Sequence, residues 1–142
     1  MSYAMAAALQ GAVYQCLLAD AVVTALVGGA VYDAIPSGVV PDTYVSLGPE
    51  LVRDRSDQTN AGAEHEFTVT VYTAEAGFAQ AKTLAAAICD ALVDANLTLT
   101  RGHLVALNFH KAQALRDQKG AGRRIDLKFR ARVEDNGVFP KE

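Results

Sequence analysis

The side chains that could do chemistry are three histidines, a close pair of glutamates, a glycine-rich turn and a run of basic residues. A zinc site needs three or four converging ligands. His103 and His110 stand seven apart on an expected strand, which points them to opposite faces, and neither they nor His65 have a further ligand at a useful short spacing. They read as surface or edge histidines. Gly120-Ala121-Gly122 resembles part of a phosphate-cradling loop, but such loops lead into a helix whose N-terminus faces the phosphates. Here the glycines lead into a strand, so a hairpin turn is expected. No serine stands in a nucleophile motif with histidine and aspartate partners. Glu64 and Glu66 share the outer face of a strand, where they are expected to meet the basic face of a neighbouring strand.

The strongest local anomaly is the stripe Arg124, Lys128, Arg130 and Arg132, with Lys119 and Arg123 nearby. It reads either as a solvated sheet face or as a contact for a protein partner. No aromatic residues interleave with the charges to stack bases, and the chain as a whole carries a net charge of −3. Nucleic-acid recognition is therefore disfavoured. The residues support no enzyme, no cofactor and no metal.

Composition bounds what must position these groups. The 142 residues, 51% hydrophobic and 20% charged, are enough for one domain with a real core and too few for two ordinary ones. A single domain over 1–142 is expected. Cys16 and Cys89 have no CxxC partner spacing and read as buried thiols suited to a reducing compartment. The apolar N-terminal stretch lacks a basic start and is interrupted by Gln10, Gln15 and Asp20, so neither a signal peptide nor a membrane span is expected.

From Ser2 to Leu26, Leu9, Val13, Cys16, Leu17 and Val23 follow helical spacing, and Gly28-Gly29 ends that helix. Pro36 and Pro41 exclude helix up to a strand at Thr43–Leu47, which Gly48-Pro49 is expected to end, with Leu51 and Val52 left open as a continuation of the strand. Residues 53–63, "RDRSDQTNAGA", are polar or small and read as a long mobile loop. In the next strand His65, Phe67, Val69 and Val71 face one way, and Glu64, Glu66, Thr68 and Thr70 the other. Phe78, Ala81, Leu84, Ala85, Ile88 and Leu92 line a second helix. A strand over 104–112 and a last one over 123–133 follow, the latter with Ile125, Leu127, Phe129, Ala131 and Val133 inward. The tail, 134–142, is expected to be loose. This order predicts an α+β fold, an antiparallel β-sheet with two α-helices packed on one face.

Three segments carry a family resemblance: "VYDAIPSGVVPDTYVSLG", "FTVTVYTAEAGFAQAKTLAAAICDALVDANLTL" and "HLVALNFHKAQALRDQKGAGRRIDLKFRARVED". In order and spacing the chain resembles the tail-completion (tail-terminator) proteins of long-tailed bacteriophages and related gene transfer agents. Val31-Tyr32-Asp33 with Pro36, Tyr44-Val45 with Gly48, Tyr72 and Gly77 fit the pattern. Asp42-Thr43, where a proline and an aromatic are expected, and Thr73, where serine is commoner, depart from it.

The resemblance implies a structural protein that forms a ring, a homohexamer, at the head-proximal end of a tail tube. Such a ring stops tube polymerisation and offers a surface to the head's connector, and DNA passes through its lumen without sequence-specific binding. Its partners would be other copies of itself, the tail tube protein and the head-completion protein, with no membrane involved. It would assemble in the bacterial cytoplasm and end in the particle. A head-closure protein of the same neck is the alternative. A non-viral ligand-binding or catalytic α+β domain is the third reading, disfavoured because polar loops offer arms rather than a walled pocket. On the first reading, Tyr32, Asp33 and Tyr44, held by the Gly28–Pro41 path, brace core and subunit interface. Arg53, Asp54, Arg55 and Asp57 then belong to an arm ordered against a neighbour, and the basic stripe to ring or tube contacts.

Overall fold

A computed structural model describes residues 3–56, 61–116 and 122–135. Its elements run α1 (Ala6–Ala19), α2 (Ala21–Val27), β1 (Val31–Tyr32), β2 (Thr43–Asp54), β3 (Gly62–Thr73), α3 (Ala79–Leu92), β4 (His103–Arg116) and β5 (Arg123–Glu134). The strands form one five-stranded sheet in the order β1-β2-β3-β5-β4. β1 joins β2 in parallel through two residues, and the remaining pairs are antiparallel. The fold is α+β, as expected, with a mixed sheet and one more helix than the sequence reading had.

The extra helix comes from Asp20. Its carboxylate accepts hydrogen bonds from the Val22 and Val23 backbone N–H groups, both at 3.0 Å. That satisfies donors a helix start leaves unpaired, so the chain restarts as α2, bent by 78° from α1. α2 ends at Gly28, whose φ of +61° is costly for any residue with a Cβ. Among the described residues no single helix is long and apolar enough to cross a membrane.

The helices cover one face of the sheet. Leu9, Val13 and Leu17 from α1, Val23 from α2, and Ala81, Leu84, Ile88 and Leu92 from α3 are all buried there. They meet Val45, Phe67, Val69, Val71, Ile125, Leu127, Phe129, Ala131 and Val133, the inward set of the strand alternation. Phe129 has no exposed surface; its ring stacks on Phe67 at 5.5 Å and meets Phe109 edge-on at 6.0 Å. Burying each such large side chain contributes about 1.5–3 kcal/mol.

Several sequence expectations change at strand ends. β2 does not stop at Gly48-Pro49 but runs through them, because the ladder absorbs the proline in a bulge between Leu47 and Glu50. A bulge is where a residue without an N–H fits a strand. The loop expected over 53–63 is shorter: Arg53 pairs with Glu64 and Asp54 with Ala63, and the Arg55 N–H donates to the Gly62 carbonyl at 2.9 Å. The tail is not loose where it begins. Asp135 is 1% exposed, and Arg101 holds its carboxylate through Nε at 3.1 Å and Nη2 at 2.7 Å.

Candidate assembly surface

The face without helices carries the expected stripe. Period two sends Arg124, Asp126, Lys128, Arg130 and Arg132 of β5 to this side, opposite the buried Ile125–Val133 set. Arg130 and Arg132 are exposed, and Arg124 and Lys128 half-buried. Glu66 stands opposite Arg130 and Glu64 opposite Arg132 in the β3–β5 register. Lys111 of β4 adds to the basic side. Arg123 alternates with Arg124 and so lies on the helical face, its guanidinium 5.2 Å from the Phe78 ring centre. Lys119 and Asp57 fall outside the described residues.

Beside Arg124, which stands opposite Tyr72, three tyrosines form a ladder on this face. Tyr44 stacks on Tyr72 at 4.8 Å and 17°, and Tyr32 tilts against Tyr44 at 5.9 Å. Such pairs contribute about 0.5–1.5 kcal/mol each beyond burial. The ladder ties β1 and β2 to β3, so two of the residues expected at an interface also brace the sheet. Asp33, next in sequence, is exposed.

Arg53 and Arg55 both approach Glu64, at 3.7 and 3.5 Å, with about half of each arginine exposed; such surface pairs contribute about 0–1 kcal/mol. Asp54 accepts from the Ser56 hydroxyl at 2.7 Å and its N–H at 3.2 Å. The Ser56 hydroxyl bond holds the Asp54 carboxyl below the usual carboxylate range.

Two features of this surface escaped the sequence reading. Residues 33–39 and 41–42 are exposed; Val39 is 99% and Ile35 44% exposed. β4, the last strand of the sheet, is exposed along most of its length, with Phe109 at 46%.

The histidines also fall differently. His103 approaches Glu134 at 3.4 Å, and His110 approaches Glu66 at 3.7 Å and Arg130 Nη2 at 3.2 Å. Both therefore lie on the helix-free face: a bulge between Leu104 and Ala106 reverses the alternation, and His110 is itself the extra residue of a second bulge between Phe109 and Lys111. His65 is fully buried, its Nδ1 2.7 Å from Glu50 Oε2, and Glu50 also accepts from the Tyr3 hydroxyl. That carboxylate pushes the exposed Tyr3 phenol up from its ordinary value, chiefly through the hydrogen bond. Among the described residues no three histidine, cysteine or acidic side chains converge as a metal site.

Cys16 and Cys89 are free and half-buried, 73 positions apart in the chain. Burial pushes both thiols up, Asp20 and Asp90 adding to it, which is the opposite of an activated nucleophile. An open groove of ≈ 680 Å³ runs between α1 and the β1–β2 edge, lined by Tyr3, Gln10, Tyr14, Tyr32, Asp33 and Glu50 among others.

No curated protein matches the chain. Among solved structures, a chain from "Virion of native gene transfer agent (GTA) particle" is 63% identical, with a TM-score of 0.89, over 94% of this chain and 99% of that one. The family described as "Tail completion protein gp17" matches residues 11–134, from the middle of α1 to the end of β5, and the chain belongs to that family.

Proposed function

We propose that this protein is a structural part of the tail and neck of a phage-like particle. In detail, copies of it close into a ring, a homohexamer, at the head-proximal end of the tail tube. The ring ends tube growth and presents a surface to the head's connector, and DNA passes through its lumen. The observation that carries this reading is the near full-length similarity to a chain of a gene transfer agent virion. The architecture supports it: one face is sealed by helices, while the other face and one sheet edge are open and charged. No catalytic step belongs to this reading, and its contacts are with proteins. It assembles in the bacterial cytoplasm and then resides in the particle.

Electron microscopy of particles made without the gene tests the proposal. Over-long tails, or tails without heads, are expected. Tails of normal length that merely fail to join heads would point instead to a head-closure role. Complete particles at the usual yield would refute both.

A further inference from the structure

The two open features of the surface lie at opposite edges of the sheet. Residues 33–42 leave β1 and return to β2, at one edge. They expose Ile35 and Val39, and Pro36 and Pro41 stiffen them. Among the described residues the backbone of 33–41 makes no hydrogen bond to another backbone group; the arm is tied at its root, where the Ala74 N–H donates to the Asp42 carbonyl at 2.8 Å.

At the other edge, β4 pairs with β5 on one side only. The Asp94 N–H takes the Leu107 carbonyl at 3.1 Å, which closes the first part of that edge. From residue 108 onward no described backbone group outside the sheet bonds to it. Phe109, Ala112 and Ala114 are exposed there on the helical side, where they pair with Phe129, Leu127 and Ile125 of β5. Beyond the bulge between Phe109 and Lys111, an edge whose backbone groups stay open is a template for another chain.

We propose that the arm of one copy, residues 33–42, docks along the free edge of β4, residues 109–116, of a second copy, head to tail. Charge agrees with this pairing. The arm's charged residues are Asp33 and Asp42, whereas Lys111 and Arg116 are those of the free edge, which carries no acid. The arm cannot reach its own β4, because four strand spacings of about 4.8 Å put roughly 19 Å of sheet between the edges. A contact between two different patches on opposite sides of one subunit propagates, and it closes into a ring when the rotation permits. The inference rests on the ring reading above and assigns its interface.

Two double variants test it in the full chain: Ile35→Asp with Val39→Asp, and Ala112→Asp with Ala114→Asp. All four side chains are exposed, and circular dichroism verifies folding. Native mass spectrometry of the wild type is expected to show the multi-copy assembly, and of each double variant a monomer. A mixture of the two is expected to give a one-to-one heterodimer and nothing larger, since one intact arm then meets one intact edge.

Assembly of either double variant at the wild-type mass, or a mixture that stays monomeric, overturns the contact. So does a wild type that remains monomeric when concentrated. Open chains of wild type together with the heterodimer would leave the contact standing and refute the closed ring. Rings that persist in both variants would do the reverse.

Discussion

Replacing Glu50 with alanine takes the partner from a histidine that has no exposed surface. His65 projects into the core beside Phe67, and its Nδ1 meets Glu50 Oε2 at 2.7 Å. Its Nε2 is buried without a hydrogen-bond partner, so the ring has no second bond to fall back on. Stranding a buried donor costs about 1–3 kcal/mol. Glu50 itself is 19% exposed and loses little hydration by its removal. The exposed Tyr3 hydroxyl can turn to water. The expected loss is therefore about 1–3 kcal/mol, or roughly 3–9 °C in Tm at about 3 °C per kcal/mol for a chain of this size.

Urea unfolding followed by circular dichroism measures it, at two protein concentrations so that association does not enter the number. The comparison that isolates the cause is His65→Leu. It removes the buried imidazole with its orphaned nitrogen, and the Glu50 carboxylate left behind is 19% exposed and still accepts from the Tyr3 hydroxyl, so no buried polar group is stranded. Glu50→Ala within about 0.5 kcal/mol of wild type, or His65→Leu costing as much as Glu50→Ala, would refute the reasoning.

Three further outcomes follow from particular sites. Gly102→Ala is expected to lower Tm strongly, because φ is +75° there and a Cβ would come 2.5 Å from the Glu134 carbonyl oxygen; a Tm within 2 °C of wild type, about 0.7 kcal/mol, would contradict this. Arg130→Glu with Arg132→Glu should leave the monomer's urea midpoint nearly unchanged, since both side chains are exposed and exposed charges contribute about 0–1 kcal/mol each, while particle yield falls; a normal yield would make the stripe plain solvated surface. Cys16 and Cys89, whose thiols are pushed up by burial, should react with iodoacetamide at pH 8 more slowly than in urea, and equal rates would show that the thiols are not shielded.

Strand faces were legible because alternation survives wherever the ladder is regular. Ile125 through Val133, and His65 through Val71, point inward as their period of two requires. Helix α3 was legible for the same reason at a period of 3.6. What escaped reading depends on single residues that break a period. Asp20 reads as one more polar position on a long helix until its carboxylate is seen capping a second. The β4 bulges at Val105 and His110 have no sequence signature, yet they bring His110 to the face of His103. Glu50 and His65 are joined only by the β2–β3 register, which the bulge at Gly48-Pro49 resets. The stripe was legible as a set, but Arg123 belongs to the other face by its parity alone.

The stretch from Gly28 to Gly48 gains a physical reason from its two halves. Its ends are fixed by the monomer: Gly28 closes α2, Val31 is buried, and Tyr32 and Tyr44 join the aromatic ladder. Its middle is not, for Ile35 and Val39 touch too little of their own chain to be covered by it. Ordering a free loop on docking costs about 1–2 kcal/mol of backbone entropy per residue. Prolines at 36 and 41 remove part of that cost before any contact is made, by about 0.4–1 kcal/mol each where their φ is already native. Apolar side chains that no helix covers then supply the gain. The sequence of 55–61 has neither prolines nor a large apolar side chain, and Arg55 already pairs with Glu64 at the protein's own surface. Of these two segments, the one between β1 and β2 therefore has the more to gain from a neighbour.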